Sequence, residues 1–459
     1  MAQHRCGLEK SSPPLRRCHN GDVSDSPATI APRPLDDDLV RTTLVHRRFH
    51  GSPRWWHTAS VMEIPGLVDD VAMRMLRECM FPIARCGFTA VMLRPAMVSL
   101  LEKDPEFTAL VDAAHRVGLK IIVRLSGADH RPWVPGENPA SFIGCEGDTS
   151  RLIVRARTAL TSGVDGIDMG RIEDAPQSSL AEQRASRFTS LTRLLHAELM
   201  EFDDDHILAA TATVAHEDAY RRHLEEEWFH HLRDDRLAHA PFTAEALEDS
   251  VEAMLRERDR MGMVCAWKAT RPRLVGTPGV AAAYAGSWED EADDQRRAAM
   301  QLVLATLPGS IYVSFAAAGG HAEFDGMLVR PTPATTDEEK ARAQHTTMTM
   351  RLRAEHQLAV GSFAIVRGLE WQRPGVSVVM AGAIMGVCNI SGQTVEVPAD
   401  HQLLLRSDST RTEDTPITRV LINGEATIVT PRAQRESQNQ MAPNTTAWFA
   451  PAHITGSQD

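Results

Sequence analysis

Gly87-Phe-Thr-Ala-Val-Met-Leu-Arg-Pro95 and Asp112-Ala-Ala-His-Arg-Val-Gly-Leu-Lys-Ile-Ile-Val123 carry the plainest structural repeat in the chain. Each holds a short apolar run, Ala90-Val91-Met92-Leu93 and Ile121-Ile122-Val123, of strand length and bounded by turn residues. Between them Phe107, Leu110, Val111, Ala114 and Val117 recur on one helix face. A buried strand, an amphipathic helix and a second buried strand make a βαβ unit, and such units argue a parallel sheet.

The same alternation continues in both directions. Further apolar runs are Gly166-Ile167, His206-Ile207-Leu208-Ala209, Met263-Val264-Cys265-Ala266 and Ile311-Tyr312-Val313. Helical faces lie between them, at Phe188, Leu191, Leu194, Leu195 and Leu199, and at Leu247, Val251, Met254 and Leu255. So many repeats suit a (β/α)8 barrel over residues 51–355 better than an open doubly wound sheet. Near Val360 the helical period stops. Val376-Ser-Val-Val-Met, Gln393-Thr-Val-Glu-Val, Gln402-Leu-Leu-Leu and the segment around Trp448-Phe449 read as short strands, hence an all-β sandwich over 356–452. Residues 1–50, rich in Pro, Ser, Asp and Arg with no apolar period, are expected to be a disordered tail, and 453–459 a second one.

Composition bounds the function. In 459 residues, 43% are apolar and 24% charged, an ordinary globular balance. No apolar run approaches the ~18 residues of a membrane span. A net charge of −12 gives no basic footprint for nucleic acid. Seven cysteines at irregular spacings fit neither a zinc site nor a disulfide framework, and the N-terminus has no apolar signal region; a cytoplasmic setting is expected. No phosphate loop or dinucleotide fingerprint is present, so no cofactor is expected; Gly319-Gly320 and Gly386 match neither pattern.

From about Trp55 to Trp448 the chain resembles glycoside hydrolase family 13, the α-amylase family, in its α-glucosidase and trehalose-synthase-like branch. Gly87–Pro95 resembles the second barrel strand of that family, Asp112–Val123 the helix and third strand, and Gly163-Val-Asp-Gly-Ile167 the fourth strand. Ala240-Pro-Phe-Thr-Ala-Glu-Ala-Leu247, Leu307-Pro-Gly-Ser-Ile-Tyr312 and Met441-Ala-Pro-Asn-Thr-Thr-Ala-Trp448 resemble a helix start, the closing strand and the last sandwich strand. The resemblance implies an α-amylase-type barrel with a C-terminal β domain.

It also implies a set of catalytic positions, and these hold the wrong residues. A retaining glycosidase needs two carboxyl groups roughly 5 Å apart. Where the family has Asp-Gly-aromatic-Arg-x-Asp, this chain has Asp165-Gly166-Ile167-Asp168-Met169-Gly170, so Asp168 stands for the Arg and Gly170 for the nucleophile. Thr211 stands for the acid/base Glu, and a hydroxyl is far too weak an acid for that work. Lys268-Ala269-Thr270-Arg271-Pro272-Arg273 keeps the family's Pro-Arg, with Ala269 for the His and Thr270 for the third carboxylate. Arg124 replaces an Asp, and Phe315-Ala-Ala-Ala318 replaces Gln-Gly-Glu-Glu. Only about 40 residues separate Arg124 from Asp165, so the substrate-covering lobe is reduced. Three Tyr and 5% aromatics agree with a chain that has shed sugar-stacking rings.

Other constellations have plainer readings. Asp168, Glu173 and Asp174, with Asp129 or Glu217, could rebuild a carboxylate pair, but a loop paired with Arg171 explains them. His216-Glu217, His223 and His230-His231 lack His-Glu-x-x-His spacing and are expected on the surface of a charged helix, with no metal bound. His4, Cys6, Cys18 and His19 have no compact spacing. Trp55-Trp56 is expected to pack the core, Glu225-Glu-Glu-Trp-Phe to form a solvated helix with a buried face, and Cys79 and Cys86 to be buried. The expectation is a non-catalytic α-amylase-like protein that binds or regulates a protein partner, such as an active relative, in α-glucan, maltose or trehalose metabolism. The alternatives are an α-glucosidase or glucosyl-transferring isomerase with relocated carboxylates at Asp168 and Glu173, and a non-catalytic protein binding an α-glucoside.

Overall fold

In a computed structural model, Lys120-Ile-Ile-Val-Arg124 is a strand whose alternate residues face two different cores. Ile122 packs inside a ring of parallel strands, and Ile121 and Val123 pack outward against helices. The structure describes residues 39–125, 146–172, 181–212, 217–270, 286–290, 292–408, 419–422, 425–428 and 439–451. The first strand, β1 (Arg41–His46), stands outside the ring. The ring itself comprises β2 (Ser60–Glu63), β3 (Ala90–Leu93), β4 (Lys120–Arg124), β5 (Gly166–Ile172), β6 (Ile207–Ala212), β7 (His231–Asp234), β8 (Ala266–Trp267) and β9 (Ser310–Ser314). Their hydrogen-bonded order is β7-β6-β5-β4-β3-β2-β9-β8, all parallel, so the sheet is a nearly closed eight-stranded barrel.

The helices between strands are set by local chemistry. Asp69 caps Asp70–Arg85 by accepting the Ala72 N–H. Asp104 and Pro105 start Pro105–Arg116, and Thr243 caps Ala244–Met261, which ends at left-handed Gly262. Two barrel strands are ones the apolar runs did not predict. Ser60-Val-Met-Glu63 and His231-Leu-Arg-Asp234 are half polar, because Glu63, His231 and Arg233 face other polar side chains in the barrel interior.

After β9 a hairpin, β10 (His321–Asp325) and β11 (Leu328–Thr332), folds back over the end of β2. Arg330 ties it to Asp69 at 2.9 and 3.1 Å, so one carboxylate both caps a helix and anchors the hairpin. Helix Asp337–Glu355 follows, opened by a Thr336/Glu339 capping box. Then come β12 (Phe363–Arg367), β13 (Val376–Ala381), β14 (Ile384–Asn389), β15 (Val395–Glu396), β16 (His401–Arg406), β17 (Arg419–Ile422), β18 (Glu425–Ile428), β19 (Gln440–Met441) and β20 (Thr445–Pro451). The main sheet runs β1-β12-β13-β14-β20-β16, all antiparallel, and β15–β19 pairs over its outer face. The strand period divides the work. Ala447 and Phe449 face the outer layer, whereas Trp448 faces the barrel and donates to Thr306 Oγ1 at 2.7 Å from helix Asp294–Thr306.

Several expectations change. The tail expected over 1–50 extends too far. Arg41–His46 is the edge strand of the C-terminal sheet, paired with Phe363–Arg367, because an exposed sheet edge supplies its backbone hydrogen bonds without an apolar period. Residues 1–38, with His4, Cys6, Cys18 and His19, lie outside the described residues, as does 453–459. The Glu225–Phe229 helix stops at Glu225, and Glu227 takes a left-handed conformation. Cys79 is buried and Cys86 only partly so, since it sits at a helix end. Among the described residues no helix is long and apolar enough to cross a membrane.

Gly309 leads into β9 with φ +88°, where a Cβ would stand 2.2 Å from the Cys265 carbonyl oxygen. Gly118 has a similar φ of +80° but open space around it. Gly309→Ala is expected to lower unfolding free energy by about 3 kcal/mol, from strain plus a backbone clash, and Gly118→Ala by about 1 kcal/mol from strain alone. Urea unfolding midpoints check the contrast.

Candidate functional site at the C-terminal end of the barrel

Inward positions at the carboxyl ends of the barrel strands carry charge instead of hydrocarbon. Glu63 ends β2, Arg124 ends β4, Asp168 lies in β5, Arg233 in β7, and Lys268 follows β8. Below them Val61, Ala90, Met92, Ile122, Ile207, Ala266 and Tyr312 fill the barrel. Gly166 marks how narrow it is there, since a Cβ would meet Ile207 Cγ1 at 2.5 Å.

These charges form one network. Lys268 Nζ donates to both oxygens of Glu63, at 2.8 and 2.6 Å. Arg124 bridges the two carboxylates, donating to Glu63 Oε1 at 3.2 Å and Asp168 Oδ1 at 3.3 Å. Arg233 and Asp168, both fully buried, are ion-paired, and the Gly170 N–H also donates to Asp168. Arg233 Nε donates to Thr211 Oγ1 at 2.9 Å, and its guanidinium lies 4.2 Å from the Tyr312 ring centroid. Tyr312 meets His231 Nδ1 at 2.7 Å, and His231 Nε2 lies 2.6 Å from the Trp56 carbonyl oxygen. A carbonyl only accepts, so His231 carries its proton on Nε2 and the Tyr312 hydroxyl donates to Nδ1.

The electrostatics follow from the partners. Burial by itself would raise Glu63, but Lys268 and Arg124 outweigh it and bring its pKa down to about 2. Burial would likewise raise Asp168, and Arg233 and Arg124 hold it below the ordinary carboxylate range. Burial lowers His231 to about 3, so the imidazole stays neutral. Both carboxylates are ionised at neutral pH, and both oxygens of each are engaged by cations.

The residues singled out from sequence are distributed as follows. Gly170, at φ +76°, and Thr211 lie in the C-terminal halves of β5 and β6, and Ala269 and Thr270 lie just past β8. Arg124 and Asp168 come together with Glu63, Arg233 and Lys268, which the sequence reading did not join to them. The signal was present as a charge in the inward phase near the ends of five of the barrel strands. Glu173, Asp174, Asp129 and His216 lie outside the described residues, as do Arg271 to Arg273, and Glu217 begins a helix.

His223, on the helix Glu217–Glu225, and His231 are buried rather than on the surface; His231 points inward from barrel strand β7. Trp55 and Trp56 pack against the barrel interior, and Trp56 stacks on His57 at 4.0 Å. Among the described residues no three His, Cys, Asp or Glu side chains are arranged to hold a metal.

No protein-family model matches the chain, and no curated protein does. Solved structures do match over most of the chain. The α-amylase from H. orenii superposes with a TM-score of 0.53 at 13% identity, covering 86% of this chain and 99% of that one. The chain has the α-amylase fold. An α-glucosyl transfer enzyme, XgtA, aligns with a TM-score of 0.53 at 14% identity, covering 87% of this chain and all of its own (100%). The Nostoc punctiforme debranching enzyme, in an acarbose-soaked crystal, aligns at 0.53 and 10% identity over 88% of this chain and 100% of its own. At such identities the likeness is one of fold.

The network makes two predictions. Asp168→Asn removes the buried partner of Arg233 and is expected to cost about 3–5 kcal/mol in urea unfolding at neutral pH. Glu63 binds its proton less readily folded than unfolded, so its contribution is complete above pH 4.5 and is lost as pH falls toward about 2. In acid titrations followed by circular dichroism, Glu63→Gln is expected to start less stable and to lose less stability across that window.

Proposed function

We propose that this α-amylase-fold chain is not a glycosidase and serves as a binding or regulatory protein for a protein partner in α-glucan, maltose or trehalose metabolism. The observation that carries the reading is the closed ion-pair network at the end of the barrel where such enzymes do their chemistry. A general acid must hold a proton near neutral pH, which requires a carboxyl pushed up in pKa. Glu63 and Asp168 are pushed the other way. A nucleophile must offer a free lone pair to the sugar, and the oxygens of both carboxylates already accept from Arg124, Arg233 or Lys268. Gly170, Thr211 and Thr270 offer no carboxyl group at the positions the resemblance points to.

Turnover of p-nitrophenyl α-glucoside, maltose and trehalose by the purified chain tests this. No release of nitrophenol or glucose above a buffer blank is expected. Turnover that disappears in Asp168→Asn or Glu173→Gln would overturn the reading in favour of an α-glucosidase or isomerase with relocated carboxylates.

A further inference from the structure

Among the described residues, the charges at the C-terminal end of the barrel do not balance. Glu63 and Asp168 face Arg124, Arg233 and Lys268, and a further cation stands beside them. Arg94 directly follows β3. Leu93 lies in register with Val123, so Arg94 and Arg124 are the next residues on two adjacent strands. Along β3, Ala90 and Met92 face the barrel interior, and Arg94 is the next residue in that phase.

Its side chain is partly buried. Its Nε is buried without a hydrogen-bond partner, and among the described residues no carboxylate pairs with it. Burial and the nearby charge of Arg124 push its pKa down to about 10. A buried N–H without an acceptor is unfavourable, and a genuine case in a folded protein points to something that satisfies it. Arg124 also keeps part of its side chain exposed, at 21%.

We propose that the barrel mouth binds a phosphate group, seated between the guanidiniums of Arg94 and Arg124 with Arg233 and Lys268 behind them. Among the described residues two carboxylates, Glu63 and Asp168, face four cations, and a phosphate monoester, as a dianion, supplies the two negative charges that would balance them. The planar forks of two arginines match phosphate oxygens. Cations set side by side concentrate the field on such a ligand. The chain as a whole carries −12, so this cluster of cations is not a general property of its surface. The inference does not depend on lost glycosidase chemistry, since a phosphate site neither needs nor excludes turnover of an α-glucoside; calorimetry tests the one and the glucoside assay the other.

The full-length chain is titrated in a calorimeter with inorganic phosphate, glucose 6-phosphate and glucose, at constant ionic strength set with chloride. Both phosphates are expected to bind and to raise the melting temperature, and glucose is not. Among the described residues Arg94→Ala removes no side-chain hydrogen bond, so the variant is expected to fold normally by circular dichroism and to bind at least about tenfold more weakly, with Arg94→Lys between it and the wild type. An Arg351→Ala control, on an exposed helix face, is expected to bind as the wild type does.

Glucose 6-phosphate binding tighter than inorganic phosphate assigns the site to a phosphorylated small molecule, and equal affinities assign it to free phosphate. Any of three results overturns the proposal. One is no binding of either phosphate to the folded protein. Another is glucose binding as tightly as its phosphate. The third is phosphate affinity unchanged in Arg94→Ala.

Discussion

Asp168 has no solvent-exposed surface, and its charge is tolerable only because Arg233, Arg124 and the Gly170 N–H surround it. An isolated carboxylate at such a place would be prohibitively unfavourable, so each partner must arrive in register. The partners come from different strands: Asp168 from β5, Arg124 from β4, Arg233 from β7, with Glu63 of β2 and Lys268 after β8 completing the set. Slipping any of these strands by one residue would turn its charge into the helix layer and leave its partners unpaired. The network therefore constrains the barrel as much as the apolar layers beneath it do.

That constraint has a chemical consequence. In an α-amylase-type barrel the carboxyl ends of the strands are where catalytic groups converge. Here Glu63 and Asp168 are paired with Arg124, Arg233 and Lys268. Carboxylates held ionised by adjacent cations are poor proton donors and poor nucleophiles, whereas cations in excess of carboxylates make a receptor for an anion. The proposed non-catalytic role and the proposed anion site thus rest on the same network. The C-terminal sheet supports it from a distance: Trp448 and Arg367 bind the sheet to helices Asp294–Thr306 and Ala244–Met261, which pack around the barrel.

Strands with continuous apolar runs were legible because both of their faces are dry. Ala90–Leu93 and Ile121–Val123 have one face in the barrel and one against helices, and both faces select hydrocarbon. His231–Asp234 was not legible, because His231 and Arg233 face a polar interior and the run resembles a surface helix. Arg41–His46 failed as a reading for another reason. Its partner strand lies more than three hundred residues away in sequence, and no local pattern reports a distant sheet edge.

What the amino-acid sequence determined by itself was the alternation of buried strands and amphipathic helices, the change to short strands after Val360, and the absence of carboxylates at Gly170, Thr211 and Thr270. These are properties of single positions and local periods. That Glu63, Arg124, Asp168, Arg233 and Lys268 meet, and that among the described residues no carboxylate pairs with Arg94 beside them, follows from the tertiary structure alone. Closing a barrel brings the ends of all its strands to one place, and the sign and balance of charge there are set by residues up to about two hundred positions apart in the chain.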